Sequence, residues 1–169
     1  MHMSFWRDRK GAASALIGVV TVMMAMMLFA LAFDAAFLYA RRDAIKQALD
    51  YSNMAVYREL DRDRLADGDL YLNEITAQDT FREFLAQNLR LDGNLNPRPG
   101  SPAAGPVEVV DFRVFNPQDL PNTDGLGNPV TEVSVYSQIR VPVRPVFVGL
   151  FTTVSVPVAI TTDVPEGLP

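Results

Sequence analysis

Gly11-Ala-Ala-Ser14-Ala-Leu16-Ile-Gly18-Val-Val-Thr21-Val-Met-Met-Ala-Met-Met-Leu-Phe29-Ala-Leu-Ala32-Phe33 is the stretch that decides how this chain is built. These 23 positions carry no charge, and Ser14 and Thr21 are their only strongly polar side chains. As a helix rising about 1.5 Å per residue, the run is roughly 35 Å long, enough to cross a hydrocarbon layer about 30 Å thick. A basic cluster, Arg7, Arg9 and Lys10, precedes it, and most of the remaining chain is polar or half-polar. The expected organisation is a short cytoplasmic tail or leader over 1–10 and the transmembrane part of a long helix over 11–40. An extracytoplasmic stalk helix comes next over 41–67, and then an extracytoplasmic α+β domain over 68–169.

A cleaved secretory signal is the alternative, with Ala30-Leu31-Ala32 as its small-x-small cut site. The apolar run exceeds the usual signal length, and helical character continues through that site into Phe37, Leu38 and Tyr39, so a retained anchor is favoured. Arg7, Arg9 and Lys10 at one end balance Arg41, Arg42 and Lys46 at the other, so charge does not settle orientation. A short tail need not be moved across a membrane, and the expected topology is therefore single-pass in an inner or plasma membrane, N-terminus cytoplasmic.

Between Gly18 and Gly68 there is neither proline nor glycine, and good helix formers dominate. One helix is expected from about Ala12 to Leu60, its outer half standing as a stalk. That half carries an amphipathic stripe, Ile45, Leu49, Ser52 and Val56. A second row, Ala32, Ala36, Ala40, Ala44, Ala48 and Ser52, places a small side chain at every fourth position, a face that lets another helix approach closely. Asp34 lies at the outer end of the apolar run, with Arg41 and Arg42 two turns on. An ion pair between these residues and a neighbouring subunit is one reading, and a headgroup-level carboxylate the other.

Composition excludes several functions. The net charge of -5 argues against nucleic-acid binding. Without cysteine there are no disulfides, thiolate metal sites or cysteine nucleophiles, and the single histidine, His2, sits in the tail. A Ser-His-Asp triad or histidine metal site in the main domain is thus impossible within one chain. No cofactor and no enzymatic activity are expected.

The segment Asp34-Ala-Ala-Phe-Leu-Tyr39-Ala-Arg41-Arg42-Asp-Ala-Ile45-Lys-Gln-Ala48-Leu-Asp50 resembles the start of TadE/TadG-like proteins, minor pilin-like components of tight-adherence (Flp, type IVb) pili. Asp34, Leu38, Tyr39, Arg42, Ile45, Ala48 and Asp50 fit the family spacing, and Arg9-Lys10-Gly11-Ala12 resembles its entry into the anchor. The resemblance spans roughly residues 9–57. It implies a structural, non-enzymatic component of a pilus or secretion apparatus, with membrane lipid and other pilin-like or pilus-assembly subunits as partners. Gly11 and Ala12 would flank a leader-processing site. Prepilin peptidase substrates carry Glu five residues after the cut glycine, where this chain has Leu16, so a membrane-resident or tip-located accessory fits better than a shaft subunit. A single-pass protein whose outer domain binds a ligand or partner is the alternative function.

In the outer domain a second helix is expected over Thr76–Leu91. Thr76 and Asp79 would form a capping box, Phe81, Phe84, Leu85 and Leu89 one apolar face, and Gly93 the stop. Four prolines between Leu95 and Pro106 mark a long loop. Val110, Phe112 and Val114 alternate. Val133, Val135, Ile139, Val141 and Val143 oppose Ser134, Tyr136, Gln138 and Arg140, and Val154 to Ile160 repeat the pattern. The small helix therefore packs on three or four antiparallel strands, one face buried, in an α+β fold. Pro142 and Pro157 belong at an edge or strand end. Asn116 to Pro129 reads as a hairpin loop, its Asn122, Asp124 and Asn128 an incomplete calcium pattern. Val146 to Phe151 lacks alternation. A buried crossover is favoured there, with an apolar contact through Phe147, Leu150 and Phe151 to a partner or the membrane as the alternative.

Overall fold

The computed structural model describes residues 5–61, 64–65, 70–150 and 152–164. Helix α1 (Phe5–Val56) runs 52 residues without a break and tightens into one 3-10 turn, Tyr57–Glu59. Its length is about 78 Å. Helix α2 (Glu74–Asn88) comes next, then strands β1 (Glu108–Phe115), β2 (Asn122–Thr123), β3 (Pro129–Val130), β4 (Ser134–Val143) and β5 (Val154–Asp163). The sheet is three-stranded and antiparallel in the order β1-β4-β5, and β2 and β3 form a small separate hairpin. The chain is α+β: a long apolar N-terminal helix, a second small helix and an antiparallel sheet.

The core lies between the two helices and one face of the sheet. Ile45, Leu49 and Val56 of α1 meet Ala77, Phe81 and Leu85 of α2 and Val135, Ile139 and Val141 of β4, all fully buried. Each such large aliphatic or aromatic side chain contributes about 1.5–3 kcal/mol by leaving water. The amphipathic stripe Ile45-Leu49-Ser52-Val56 is therefore covered by the chain's own domain. The outer part of α1 is a core helix and no free stalk. A stalk would leave that stripe wet, and the valine faces of β4 and β5 would lack a lid.

Polar contacts fix the helix to the sheet. The Asn53 side-chain amide donates to the Val135 carbonyl and the Thr162 hydroxyl, both at 3.2 Å. The Thr162 hydroxyl donates to Asp50 Oδ1 at 2.7 Å, and the Tyr57 hydroxyl to the Thr162 carbonyl at 2.7 Å. Burial, with Asp163 and Asp50 nearby, pushes the Tyr57 phenol far above its ordinary range.

Several local expectations are corrected. Asn73, not Thr76, caps α2: its Oδ1 accepts from the N–H groups of Ile75 and Thr76 at 3.0 and 3.3 Å. Thr76 sits inside the first turn and donates its hydroxyl to the Asn73 carbonyl. The helix ends at Asn88, and Arg90 takes the left-handed conformation (φ 54°) in the chain reversal, three residues before Gly93. Phe84 is only partly buried, with the Arg58 guanidinium 5.0 Å over its ring. In β1 a bulge between Val109 and Asp111 shifts the phase. Val109, Phe112 and Val114 then pack on the core, while Val110 is exposed. Pro142 lies one residue from the end of β4, and Pro157 lies on edge strand β5.

The outward face of β4 is not open either. Ser134 and Tyr136 are fully buried, Tyr136 in a small cluster with Phe115 and Val130. Gly125 lies against the Tyr136 ring so closely that a Cβ there would collide with the hydroxyl. Asp124 anchors this loop. Its Oδ1 accepts from the N–H groups of Leu126 and Asn128, both at 2.8 Å, and its Oδ2 from the Asn128 amide and the Thr161 hydroxyl. Burial pushes this carboxyl up, but those donors outweigh it and hold the pKa below the ordinary value. The carboxylate is a strut for the loop, and no group of three or more metal-ligating side chains occurs among the described residues.

Candidate functional site

The upper rod, Ala13 to Phe29, is exposed at every position, and no residue of its most apolar window is buried. A helix apolar on all sides and uncovered by its own chain is suited to lipid or to other helices. It is the one described helix long and apolar enough to cross a membrane. Gly11 lies within α1 in open surroundings, and Ala12 continues the helix.

The small-residue row divides in two. Ala32, Ala36, Ala40 and Ala44 are exposed. Ala48 is half-buried and Ser52 fully buried, both against α2. There the Asn88 amide donates to the Ala48 carbonyl at 3.3 Å and the Ser52 hydroxyl at 3.1 Å. A neighbouring helix can use only the first four positions, because α2 already occupies the last two.

Asp34 has its partners within the chain. It is 5% exposed and accepts N–H groups from the β4–β5 connection: Val146 at 2.7 Å, Phe147 at 3.0 and 3.2 Å, and Val148 at 2.8 Å. These donors lead into the 3-10 turn Val148–Leu150. The expected inter-subunit ion pair is thus replaced by an internal latch, because three backbone donors cover both carboxylate oxygens. Among the described residues neither Arg41 nor Arg42 is ion-paired with it. Arg41 lies over the Phe37 ring at 5.0 Å. Arg42 borders an apolar groove of about 340 Å³ between α1 and the start of β5, where Leu38 and Tyr39 face Val156 and Pro157.

The latched segment is not a buried crossover. Val146 is 49% and Phe147 45% exposed, and Phe147 meets Phe33 edge to face with centroids 5.6 Å apart. Phe33 in turn lies beside Phe29, one turn earlier on the rod. The Leu150 side chain and Phe151, the other two members of the expected apolar contact, lie outside the described residues.

Away from the rod, a cleft of about 560 Å³ lies between the end of α2 and the loop after it. Arg82, Arg90 and Arg98 line it with Glu83 and Asp92. The Asp92 carboxylate is engaged by Asn94 and Asn96, and its pKa is held low chiefly by the Asn96 backbone N–H. This cleft has guanidinium groups but no nucleophile beside a base. Sequence reasoning missed both it and the Asp34 latch. The latch joins positions 112 to 114 apart, and its donors are backbone groups that no residue type announces. Comparison with protein-family models, with curated proteins and with solved structures gives no match.

Proposed function

We propose that this protein is a structural, non-enzymatic component of a pilus or secretion apparatus of the TadE/TadG-like kind. It is held in an inner or plasma membrane by one pass, N-terminus cytoplasmic and α+β domain extracytoplasmic. It assembles by packing α1 against the helices of other pilin-like subunits. The observation that carries this reading is the exposure of Ala32, Ala36, Ala40 and Ala44 on a rod whose own domain covers only its lower part. The resemblance of residues 9–57 supports the class of assembly. Leu16, at the position of the pilin glutamate, favours a membrane-resident or tip-located accessory over a shaft subunit.

The test is co-purification from native membranes in mild detergent. Ala40→Leu combined with Ala44→Leu thickens the exposed face and is expected to abolish recovery of pilin-like partners while leaving the domain folded. Because the chain has no cysteine, a single Ala40→Cys variant labelled with a benzophenone maleimide provides a second readout, photo-cross-linking to an adjacent helix. Wild-type recovery of partners by the double variant, with no cross-link from the cysteine variant, would end this reading.

The arginine-lined cleft favours a second reading, a membrane-anchored domain that binds an anionic ligand. Under it, Arg82→Ala and Arg90→Ala abolish ligand capture and the alanine-face variants do not.

A further inference from the structure

Phe33, Asp34 and the Val146–Val148 segment form one structural unit. Counted from Gly11 along the rod, Asp34 lies about 35 Å away, where a helix crossing a hydrocarbon layer of about 30 Å emerges into the headgroups. The latch therefore holds the β4–β5 tip at the level where α1 leaves the bilayer. Phe147 packs against Phe33, the last ring of the apolar run, so lipid that covers the outer side of Phe33 continues onto Phe147. Both Val146 and Phe147 turn nearly half their surface outward, uncovered by any other described residue.

The backbone of the tip suits such a place. Unsatisfied N–H groups are costly where water is scarce. Pro145 has none, and those of Val146, Phe147 and Val148 all donate to Asp34. Four consecutive residues thus present no free donor, and the carboxylate is satisfied by the same contacts. Arg144, exposed just before the tip, and Arg41 and Arg42 on the rod place cations where lipid phosphates lie. The turn is tight as well: a Cβ at Gly149 would come within 2.5 Å of Arg144 Cγ.

We infer that the Val146–Phe147 tip is a second membrane-seated element, inserted in the headgroup layer beside the exit of α1, so that the domain touches the bilayer at two points. This rests on α1 crossing the membrane. Because the domain is built onto α1, a lone crossing leaves rod and domain free to turn and tilt together, whereas a second contact sets which side of the domain faces the lipid. The chemistry of the partner is that of a bilayer interface: apolar and aromatic side chains at the carbonyl level, with arginines at the phosphates.

The test uses the full chain in phosphatidylcholine–phosphatidylglycerol vesicles, with Trp6→Phe removing the single tryptophan. New tryptophans are placed one at a time by Met24→Trp in the rod, Phe147→Trp and Val146→Trp in the tip, and Ile75→Trp at the exposed start of α2, where Thr80 about one turn on donates to Glu59 just past the far end of the rod. Emission is compared in plain vesicles and in vesicles whose lipids carry bromine close to the acyl carbonyl or deep in the chain. The tip tryptophans are expected to be blue-shifted relative to Ile75→Trp, to lose most intensity to shallow bromine, and to resist acrylamide. Met24→Trp should respond most to deep bromine. If the tip tryptophans behave like Ile75→Trp while Met24→Trp is quenched by lipid, the tip inference fails and the crossing stands. If Met24→Trp also ignores lipid bromine, the crossing itself fails. Tip tryptophans shielded from acrylamide yet blind to bromine would mean that protein covers the tip, and this too overturns the inference. Val146→Trp guards against a disturbed Phe33–Phe147 contact imitating either result.

Discussion

The two ends of α1 share one backbone and two environments. From Ala13 to Phe29 every position is exposed, although most side chains are apolar. From Ile45 to Tyr57 one stripe, Ile45, Leu49, Val56 and Tyr57, is buried, and Asp50, Asn53 and Tyr57 make specific contacts with β4 and β5. Helix propensity does not distinguish the ends. The pattern does: the first end is apolar all round, and the second has a stripe that matches the face of one sheet. An amphipathic segment can find its cover within its own chain, whereas an all-apolar one must find it elsewhere.

Truncation should separate the two ends most strongly. Leu49→Ala, at a fully buried site, is expected to cost about 2–5 kcal/mol of domain stability. Leu28→Ala, at a site 67% exposed, should change it by no more than about 0.5 kcal/mol. Denaturant unfolding in detergent micelles, followed by near-ultraviolet dichroism of the domain, measures both. Equal losses at the two sites would erase the contrast.

The polar tie between helix and sheet comes next. Thr162→Val deprives Asn53 of one partner and Asp50 of its donor, at an expected cost of about 1–3 kcal/mol. The same tie should respond to alkali. The folded-state pKa of Tyr57 is raised, so its contribution is fully present below the unfolded value near 10. It is lost as pH rises from there towards the folded value. A wild-type Tm that fell no more steeply above pH 10 than that of Tyr57→Phe would contradict this assignment. The smallest effect belongs to Ser137, buried beneath the helices with no partner for its hydroxyl among the described residues. Ser137→Ala should be neutral or slightly stabilising, because only an unsatisfied polar atom is removed.

Much of this architecture was legible in the residues. The absence of helix breakers fixed α1, and the alternation of valines fixed β4 and β5. The stripe from Phe81 to Leu89 fixed the inner face of α2. What escaped depends on partners distant in the chain or on backbone groups. Ile45, Leu49 and Val56 announce a buried stripe, but only the folded chain reveals that β4, β5 and α2 cover it. Val110 keeps perfect time with Phe112 in the sequence, yet one bulge moves it to the other side. Asn73 and Thr76 are both able caps, and the choice depends on where the chain enters the helix. Tyr136 alternates like an outward residue, but the loop through Gly125 closes over it. Of the candidate site, the spacing of the alanine row and the place of Asp34 at the end of the apolar run could be read in advance. The carboxylate's partners could not.

The node formed by Asp50, Asn53, Tyr57 and Thr162 also governs how the molecule bears load. A pull along the axis of the long helix reaches the sheet through these side chains near the far end of the rod, in shear against β5, and no pliant tether intervenes. Tension applied at the apolar end meets the Asp34 latch first and this node last, and detachment would require the helix to slide out of its own domain.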